Sequence, residues 1–201
     1  MSLGQSFGGL KSRTVVWLTT GAGGFLAAGV AGLIAVAGML PKQELPRFAP
    51  GVPIEAGQWR FVAIGASVGQ ATPDGRPAKP GRKVLTIELD MTNRTGSSRN
   101  DYADPFRLDP ALAKVADRPI GYLERDRAIL FNLHPDLPER VAIAWEMPAD
   151  TPVPDMLPVS IYAEVYKAQN NLQGDSGWYA PHEVGTLTLP VAAATPAPDP
   201  S

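Results

Sequence analysis

The sequence predicts an all-β protein: an antiparallel immunoglobulin-like β-sandwich preceded by one N-terminal transmembrane α-helix. The first observation is the uncharged segment 14–40, TVVWLTTGAGGFLAAGVAGLIAVAGML. As a helix it would span about 40 Å, more than the roughly 30 Å of bilayer hydrocarbon. The second is a series of about six or seven short runs with two-residue alternation, separated by polar turns. No alternation of strands with helices accompanies them, which favours an antiparallel sandwich.

Residues 1–13 are predicted to be a short tail and residues 14–40 an uncleaved membrane helix. A cleavable signal peptide usually has an apolar region of about 7 to 15 residues, and this one is much longer. The alternative is cleavage after Ala35-Val36-Ala37, because small residues there fit a signal-peptidase site. An uncleaved anchor explains the length of the apolar segment better than a signal peptide does.

The charges beside the apolar segment orient it weakly. Lys11 and Arg13 precede it, while Lys42 and Arg47 follow it. The positive-inside rule therefore gives a tie, broken by the position of Arg13 next to the segment and by the terminal amine. We expect the tail inside and the domain outside, in the periplasm of a bacterium with its anchor in the inner membrane. A cytoplasmic domain is the open alternative.

Small side chains recur every fourth residue within the apolar segment, at Thr20, Gly24, Ala28 and Gly32. Such a stripe allows close approach of a second membrane helix. It predicts a membrane-protein partner, although glycine and alanine are also common in membrane helices generally.

A Pro-rich linker is predicted at 41–54, a sandwich domain at 55–191 and a disordered tail at 192–201. The linker segment PKQELPRFAPGVP contains four prolines and should form an extended, stiff spacer. The tail ends in TPAPDPS, a polar and proline-rich sequence.

Period-two alternation marks the strands of the predicted domain. A first strand is expected from Trp59 to Val68. A short helix is expected where Asp109 precedes Pro110, since Asp caps helices and Pro suits their first position, and a strand is the alternative there. The other predicted strands carry their apolar residues at Leu85, Ile87, Leu89 and Met91; at Ile129, Phe131 and Leu133; at Val141, Ile143 and Trp145; at Val159, Ile161, Ala163 and Val165; and at Leu187, Leu189 and Val191.

Three segments together resemble a known family. They are a Trp-containing first strand, QWRFVAIGASV, a strand running into an Asn-x-Thr turn, VLTIELDMTNRTG, and the segment LHPDLPERVAIAWEMPAD, followed by a closing strand. This pattern, over roughly residues 55–191, resembles the telokin-like immunoglobulin-fold domains attached to bacterial membrane anchors. The resemblance implies a binding or assembly module rather than a catalyst.

Composition excludes several classes of function. The chain has no cysteine, so disulfides, thiolate metal sites and cysteine nucleophiles are excluded. All 20 acidic residues follow position 40, and the domain is therefore net negative. Nucleic-acid binding needs a positive field, so nucleic acid is not an expected partner. No cofactor is expected either.

Two serine motifs are not predicted to be catalytic. Ser67 lies in Gly65-Ala-Ser-Val-Gly69, which has the spacing of a nucleophile elbow, but the prolines and glycines that follow preclude the required helix. Ser176 lies in Gly174-Asp-Ser-Gly177, where the next residue is Trp178 instead of a glycine. We interpret both serines as ordinary strand or turn residues. We do not expect the protein to be an enzyme.

No metal site is expected. His134 and His182 are the two histidines, and each stands beside a proline without spacing to a second ligand. Asp101, Asp104 and Asp109 lack an EF-hand loop and are interpreted as solvated loop residues.

The segment 169–182 is the best candidate binding loop. Polar residues such as Asn171 and His182 surround the adjacent aromatics Trp178 and Tyr179. Exposed aromatic side chains on a loop held by a rigid scaffold suit protein or glycan binding. The alternative is that Trp178 folds back and closes the end of the sandwich.

Two functions follow as expectations. The first is a membrane-anchored, extracytoplasmic domain that binds or scaffolds proteins, as an accessory subunit of a membrane complex. The alternative is an envelope module that binds a small ligand or carbohydrate through the segment 169–182.

Overall fold

The computed structural model describes residues 44–169 and 174–193. In this part the regular secondary structure is almost entirely β-strand, which confirms the all-β prediction. No helix among these residues is both long enough and apolar enough to cross a membrane. The segment 14–40, with Thr20, Gly24, Ala28 and Gly32, lies outside the described residues, as does Asn171.

The described residues from Leu45 onward form one compact unit. Its elements are β1 (Arg47–Phe48), β2 (Pro53–Ala56), β3 (Trp59–Gly69), β4 (Arg82–Asn93), β5 (Phe106–Leu108), α1 (Pro110–Ala113), β6 (Ile120–Leu123), β7 (Ala128–Ile129), β8 (Glu139–Pro148), β9 (Met156–Lys167) and β10 (Gly177–Ala193).

Two sheets share strand β10. Its longer part pairs antiparallel with β9, and β5 continues that first sheet beyond β9. Its last residues, 191–193, pair parallel with β3, which opens the second sheet in the order β3, β4, β8, β6, β7. The two sheets enclose one core, so the fold is a β-sandwich.

The core follows the alternation read from the sequence. Leu85, Ile87 and Leu89 of β4 are fully buried, and Val159 and Ile161 of β9 are buried in the same cluster. Inward-facing side chains of both sheets therefore meet between them, as expected for a sandwich.

A β-bulge next to Gly65 in β3 preserves the burial of apolar side chains on one face of the strand. The pairing of β3 with β4 shifts register between Ala63 and Gly65. Ile64 is consequently exposed, while Ala66 returns to the core. Ser67 pairs with Thr86 of β4 as an ordinary strand residue.

The predicted spacer 41–54 is wrong from Leu45 onward, because that part belongs to the domain. β1 pairs parallel with β10, and the backbone N–H of Thr186 donates to Pro46 O at 2.9 Å. β2, from Pro53, pairs with β3, so two strands of the sandwich begin before residue 55. The physical reason is that proline is compatible with edge strands, which need not donate every N–H. Likewise β10 continues to Ala193, two residues into the predicted tail.

The strand predicted around Ile129, Phe131 and Leu133 is shorter than expected. β7 ends at Ile129, Phe131 is 78% exposed, and Leu133 is buried in an isolated bridge with Arg99. The buried amide of Asn93 holds this region by donating to Leu133 O at 2.9 Å. The short helix is confirmed: the Asp109 carboxylate accepts from the N–H of Ala111 at 2.8 Å.

Candidate binding cleft

A cleft of about 880 Å³ opens at the end of the sandwich where the β2–β3 turn faces β9. Its lining also includes the segment 103–119, which carries β5 and α1. The volume falls in the range of small-molecule and peptide pockets. We call this feature the turn cleft.

The β2–β3 turn consists of Gly57 and Gln58. Gly57 has φ +64°, in the left-handed region that glycine adopts without strain. A Cβ built on Gly57 would lie 2.5 Å from the backbone oxygen of Glu164 in β9. Only glycine therefore lets the turn pack this closely on β9, and that contact fixes where Gln58 and Trp59 stand in the cleft.

Gln58 is 3% exposed and lines the cleft. Its Nε2 donates to Asp101 Oδ2 at 2.8 Å, and Arg99 Nε donates to Asp101 Oδ1 at 2.8 Å. Because a carboxylate only accepts, the amide nitrogen must face Asp101. Gln58 Oε1 is left as a buried acceptor without a hydrogen-bond partner among the described residues.

Trp59 supplies a second buried polar atom. Its side chain is 1% exposed and lines the cleft, and its Nε1 has no partner in the part of the chain that the structure describes. An unpaired buried donor or acceptor costs about 1 to 3 kcal/mol. Two consecutive residues of the cleft wall thus each carry a buried polar atom without a partner among the described residues.

The charged groups around the cleft have both signs. Asp104 and Glu164 contribute carboxylates, while Lys114 and Arg118 contribute cations. The guanidinium of Arg107 lies 4.2 Å above the ring of Tyr162, also in the lining. The cleft thus suits a ligand with an apolar body and dispersed polar groups better than one of a single strong charge.

Burial raises the pKa of the Glu164 carboxyl, and the nearby Asp101 carboxylate raises it further. The cation Arg99 acts in the opposite direction. The ionised form of Glu164 is therefore disfavoured in the folded protein.

Glu164→Gln should raise the free energy of unfolding at neutral pH. Because the pKa in the folded state lies above the unfolded value, ionised Glu164 destabilises the fold above both values, and the effect disappears below them. Urea titrations of wild type and variant from neutral pH to below the usual glutamate pKa of 4.5 measure this. A stability difference that stays constant across that range would contradict the role given to ionisation.

The segment 169–182, predicted to be a binding loop, is a strand rather than a loop from Gly177 onward. Trp178, Tyr179 and His182 lie in β10 and pair with Tyr166, Val165 and Ala163 of β9. The pairing shifts register between Tyr179 and His182 and again between Glu183 and Gly185. These irregularities accommodate the residues without a pairing partner, which include Pro181. The first part of β10 could not be recognised as a strand from its polar composition, because this end of the β9–β10 hairpin buries little side-chain surface.

Trp178, Tyr179 and His182 are not in the lining of the turn cleft. The Trp178 ring packs on Tyr166 at a centroid distance of 5.5 Å, and the Tyr179 hydroxyl donates to Asp175 Oδ1 at 3.1 Å. His182 Nδ1 lies 3.2 Å from Ala180 O. Their neighbour Pro181 is the member of this segment in the cleft lining.

The remaining sequence motifs lie apart from one another. His134 Nδ1 is 2.8 Å from Ser98 Oγ, an exposed contact that joins two loops. Ser176 immediately precedes β10. Among the residues that the structure describes, no three His, Asp or Glu side chains are grouped so as to hold a metal ion.

Sequence reasoning missed Gln58 as a site residue and treated Trp59 as a strand residue only. A tryptophan at the start of an apolar strand has the same pattern as any core residue. The one usable signal was the Gly57-Gln58 pair, which predicts a tight turn but not what the turn contacts.

Neither a protein-family model nor a curated protein sequence matches the chain. Among solved structures, the chain is similar to an uncharacterized β-sandwich protein from Clostridium difficile 630, with 13% sequence identity and a TM-score of 0.45. The match covers 75% of this chain and 97% of that one. That neighbour carries no stated activity, so no ligand or partner transfers from it.

Proposed function

We propose that this chain is a membrane-anchored accessory subunit whose immunoglobulin-like sandwich, outside the cytoplasm, binds a partner protein. The observation that carries the proposal is the turn cleft, a concave site of about 880 Å³ lined by apolar, polar and charged residues. A binding module needs a preformed concave site with a few placed polar groups, and the cleft has that character.

The composition of the lining favours a protein segment as the occupant. Pro105, Phe106 and Ala163 give apolar surface, while Asp104 and Lys114 give charges of opposite sign at its margin. An extended peptide offers the matching combination of apolar side chains, backbone polar groups and scattered charges.

The apolar segment 14–40 supports the membrane part of the proposal. Its length fits a single span, and the stripe of Thr20, Gly24, Ala28 and Gly32 fits contact with another helix. The span would then select the membrane complex, and the sandwich would hold one of its segments.

Purification of the full chain in mild detergent, at native expression, should recover a stoichiometric partner. Gly24→Leu combined with Gly32→Leu should reduce recovery at least about fivefold, because each leucine fills the close approach between helices. Ala22→Leu is the matched control, since at 100° per residue Ala22 lies on the opposite side of the predicted helix from Gly24.

An isolated monomer from wild-type membranes would contradict the proposal. Equal loss of the partner with Ala22→Leu would contradict the role of the stripe, since that change places a leucine on another side of the span.

A further inference from the structure

We infer that the outer end of the β9–β10 hairpin contacts the interface of the bilayer in which the chain itself is anchored. We call residues 165–167 and 177–179 the hairpin end. In this arrangement its aromatic side chains lie at the level of the lipid headgroups. The inference rests on the proposed function for the anchor, and on the structure of the domain for the contacting surface.

The hairpin extends beyond the hydrophobic core. Ala163 of β9 and Gly185 of β10 are the last buried residues on this side of the sandwich, and none of the described residues 164–169 and 174–184 is buried. A strand pair that buries no side chain in its own domain has both faces available to another surface.

Apolar and aromatic side chains occupy both faces of the hairpin end. Tyr166 pairs with Trp178, and their ring centroids lie 5.5 Å apart, whereas Val165 pairs with Tyr179 on the opposite face. Tyr166 is 54% exposed and Val165 is 47% exposed. Trp and Tyr are enriched at membrane–water interfaces, because an apolar ring and a polar tip suit that boundary.

The hairpin end carries a single charged residue, Lys167. Its aliphatic stem can lie along apolar surface while the ammonium group reaches water, as lysines do at membrane interfaces. One cation gives little attraction to anionic lipid, so the contact depends on aromatic and apolar burial. We therefore expect a zwitterionic bilayer to be sufficient.

The chain enters the domain from the side on which the hairpin end projects. β1 runs parallel to β10 with Arg47 opposite Thr186, so the residues that precede Arg47 lie toward the start of β10. The position of Pro46 fits this direction, since its backbone oxygen lies 2.5 Å from the Cβ position of Gly185.

The tether is short enough to bring the hairpin end to the bilayer. Ser160, which pairs with Thr186, is six residues from Tyr166 along β9, about 20 Å at 3.3 Å per residue. The predicted span ends at residue 40, seven residues before Arg47, and a chain of that length reaches at most about 25 Å. The bilayer surface is therefore within reach of Tyr166 and Trp178.

The test measures tryptophan fluorescence of the full chain in phosphatidylcholine nanodiscs, with acyl chains that are either unmodified or brominated near the headgroup. Bromine quenches tryptophans that lie in the bilayer. In Trp17→Phe, which lacks the tryptophan of the predicted span, brominated lipid should lower the emission. Trp178 should account for this loss, because Trp59 and Trp145 are buried. Adding Trp178→Phe should abolish the quenching.

Met156→Trp, in the chain without Trp17 and Trp178, is the matched control. Met156 is 53% exposed and lies on the same strand as Tyr166, ten residues and about 33 Å away, so its replacement should not be quenched. The chain has no cysteine, which allows a second measurement with a nitroxide on Val165→Cys or Met156→Cys. Only the label at 165 should gain contact with oxygen relative to a water-soluble nickel chelate, and this result decides the matter if a tryptophan variant does not fold.

The inference is overturned if brominated lipid leaves the emission of Trp17→Phe unchanged, or if Met156→Trp is quenched equally. Its failure is distinguishable from failure of the proposed function. Quenching of Trp17 in the wild type reports the anchor, so that signal without quenching of Trp178 retains the anchor and rejects the bilayer contact. A partner captured by wild type and lost with Trp178→Asp, without lipid quenching, would assign the hairpin end to a protein contact instead. Quenching of Trp178 without any captured partner would retain the bilayer contact and reject the proposed function.

Discussion

Phe61→Ala should lower the free energy of unfolding by about 3 to 5 kcal/mol. Phe61 is 1% exposed, and its ring meets the ring of Phe106 at a centroid distance of 4.8 Å in an edge-to-face arrangement. Phe61 belongs to β3 in one sheet and Phe106 to β5 in the other, so this contact joins the two layers. Removing the ring leaves a cavity where the layers pack, and close-packed interiors relax only in part.

Urea denaturation followed by tryptophan fluorescence measures the loss. Phe131→Ala is the matched control, because Phe131 is 78% exposed and its truncation should change stability by less than about 0.5 kcal/mol. A double-mutant cycle of Phe61→Leu and Phe106→Leu should give a coupling energy of about 0.5 to 1.5 kcal/mol. If Phe61→Ala and Phe131→Ala lower the free energy of unfolding equally, the Phe61–Phe106 contact does not stabilise the packing of the two sheets.

The long strands were predictable because the alternation that defines them lies within each strand's own sequence. Leu85, Ile87 and Leu89 alternate with polar residues, and burial of one face follows directly from a period of two. The closing strand was predictable only from Leu187 onward. Around Trp178 the strand is defined by its pairing with β9, and neither strand alone carries that information.

Contacts between segments distant in sequence could not be predicted for the same reason. Arg47 and Phe48 form a strand because β10 lies beside them, and β10 is more than a hundred residues further along the chain. The turn cleft is the clearest case. Gln58 and Trp59 line a cleft because the segment 103–119 and β9 fold against them.

Gly57→Ala is the second change with a large expected effect, a loss of about 2 to 5 kcal/mol in the free energy of unfolding. Part of it is the cost of placing a side chain at φ +64°, about 1 to 2 kcal/mol. The rest is overpacking, about 1 to 3 kcal/mol, because the new Cβ would lie 2.5 Å from Glu164 O, a backbone atom that cannot rotate away.

Gly75→Ala separates these two contributions. Gly75 has φ +86° and no atom within 4 Å of its Cβ position, so alanine there meets the backbone cost alone. Denaturation of both variants should leave Gly57→Ala less stable by about 1 to 3 kcal/mol. Equal losses would mean that the β2–β3 turn is not seated on β9. The turn carries Gln58 and leads directly into Trp59, so an unseated turn would also leave this wall of the turn cleft without a fixed position. The stability difference between two glycines therefore tests whether the cleft is preformed.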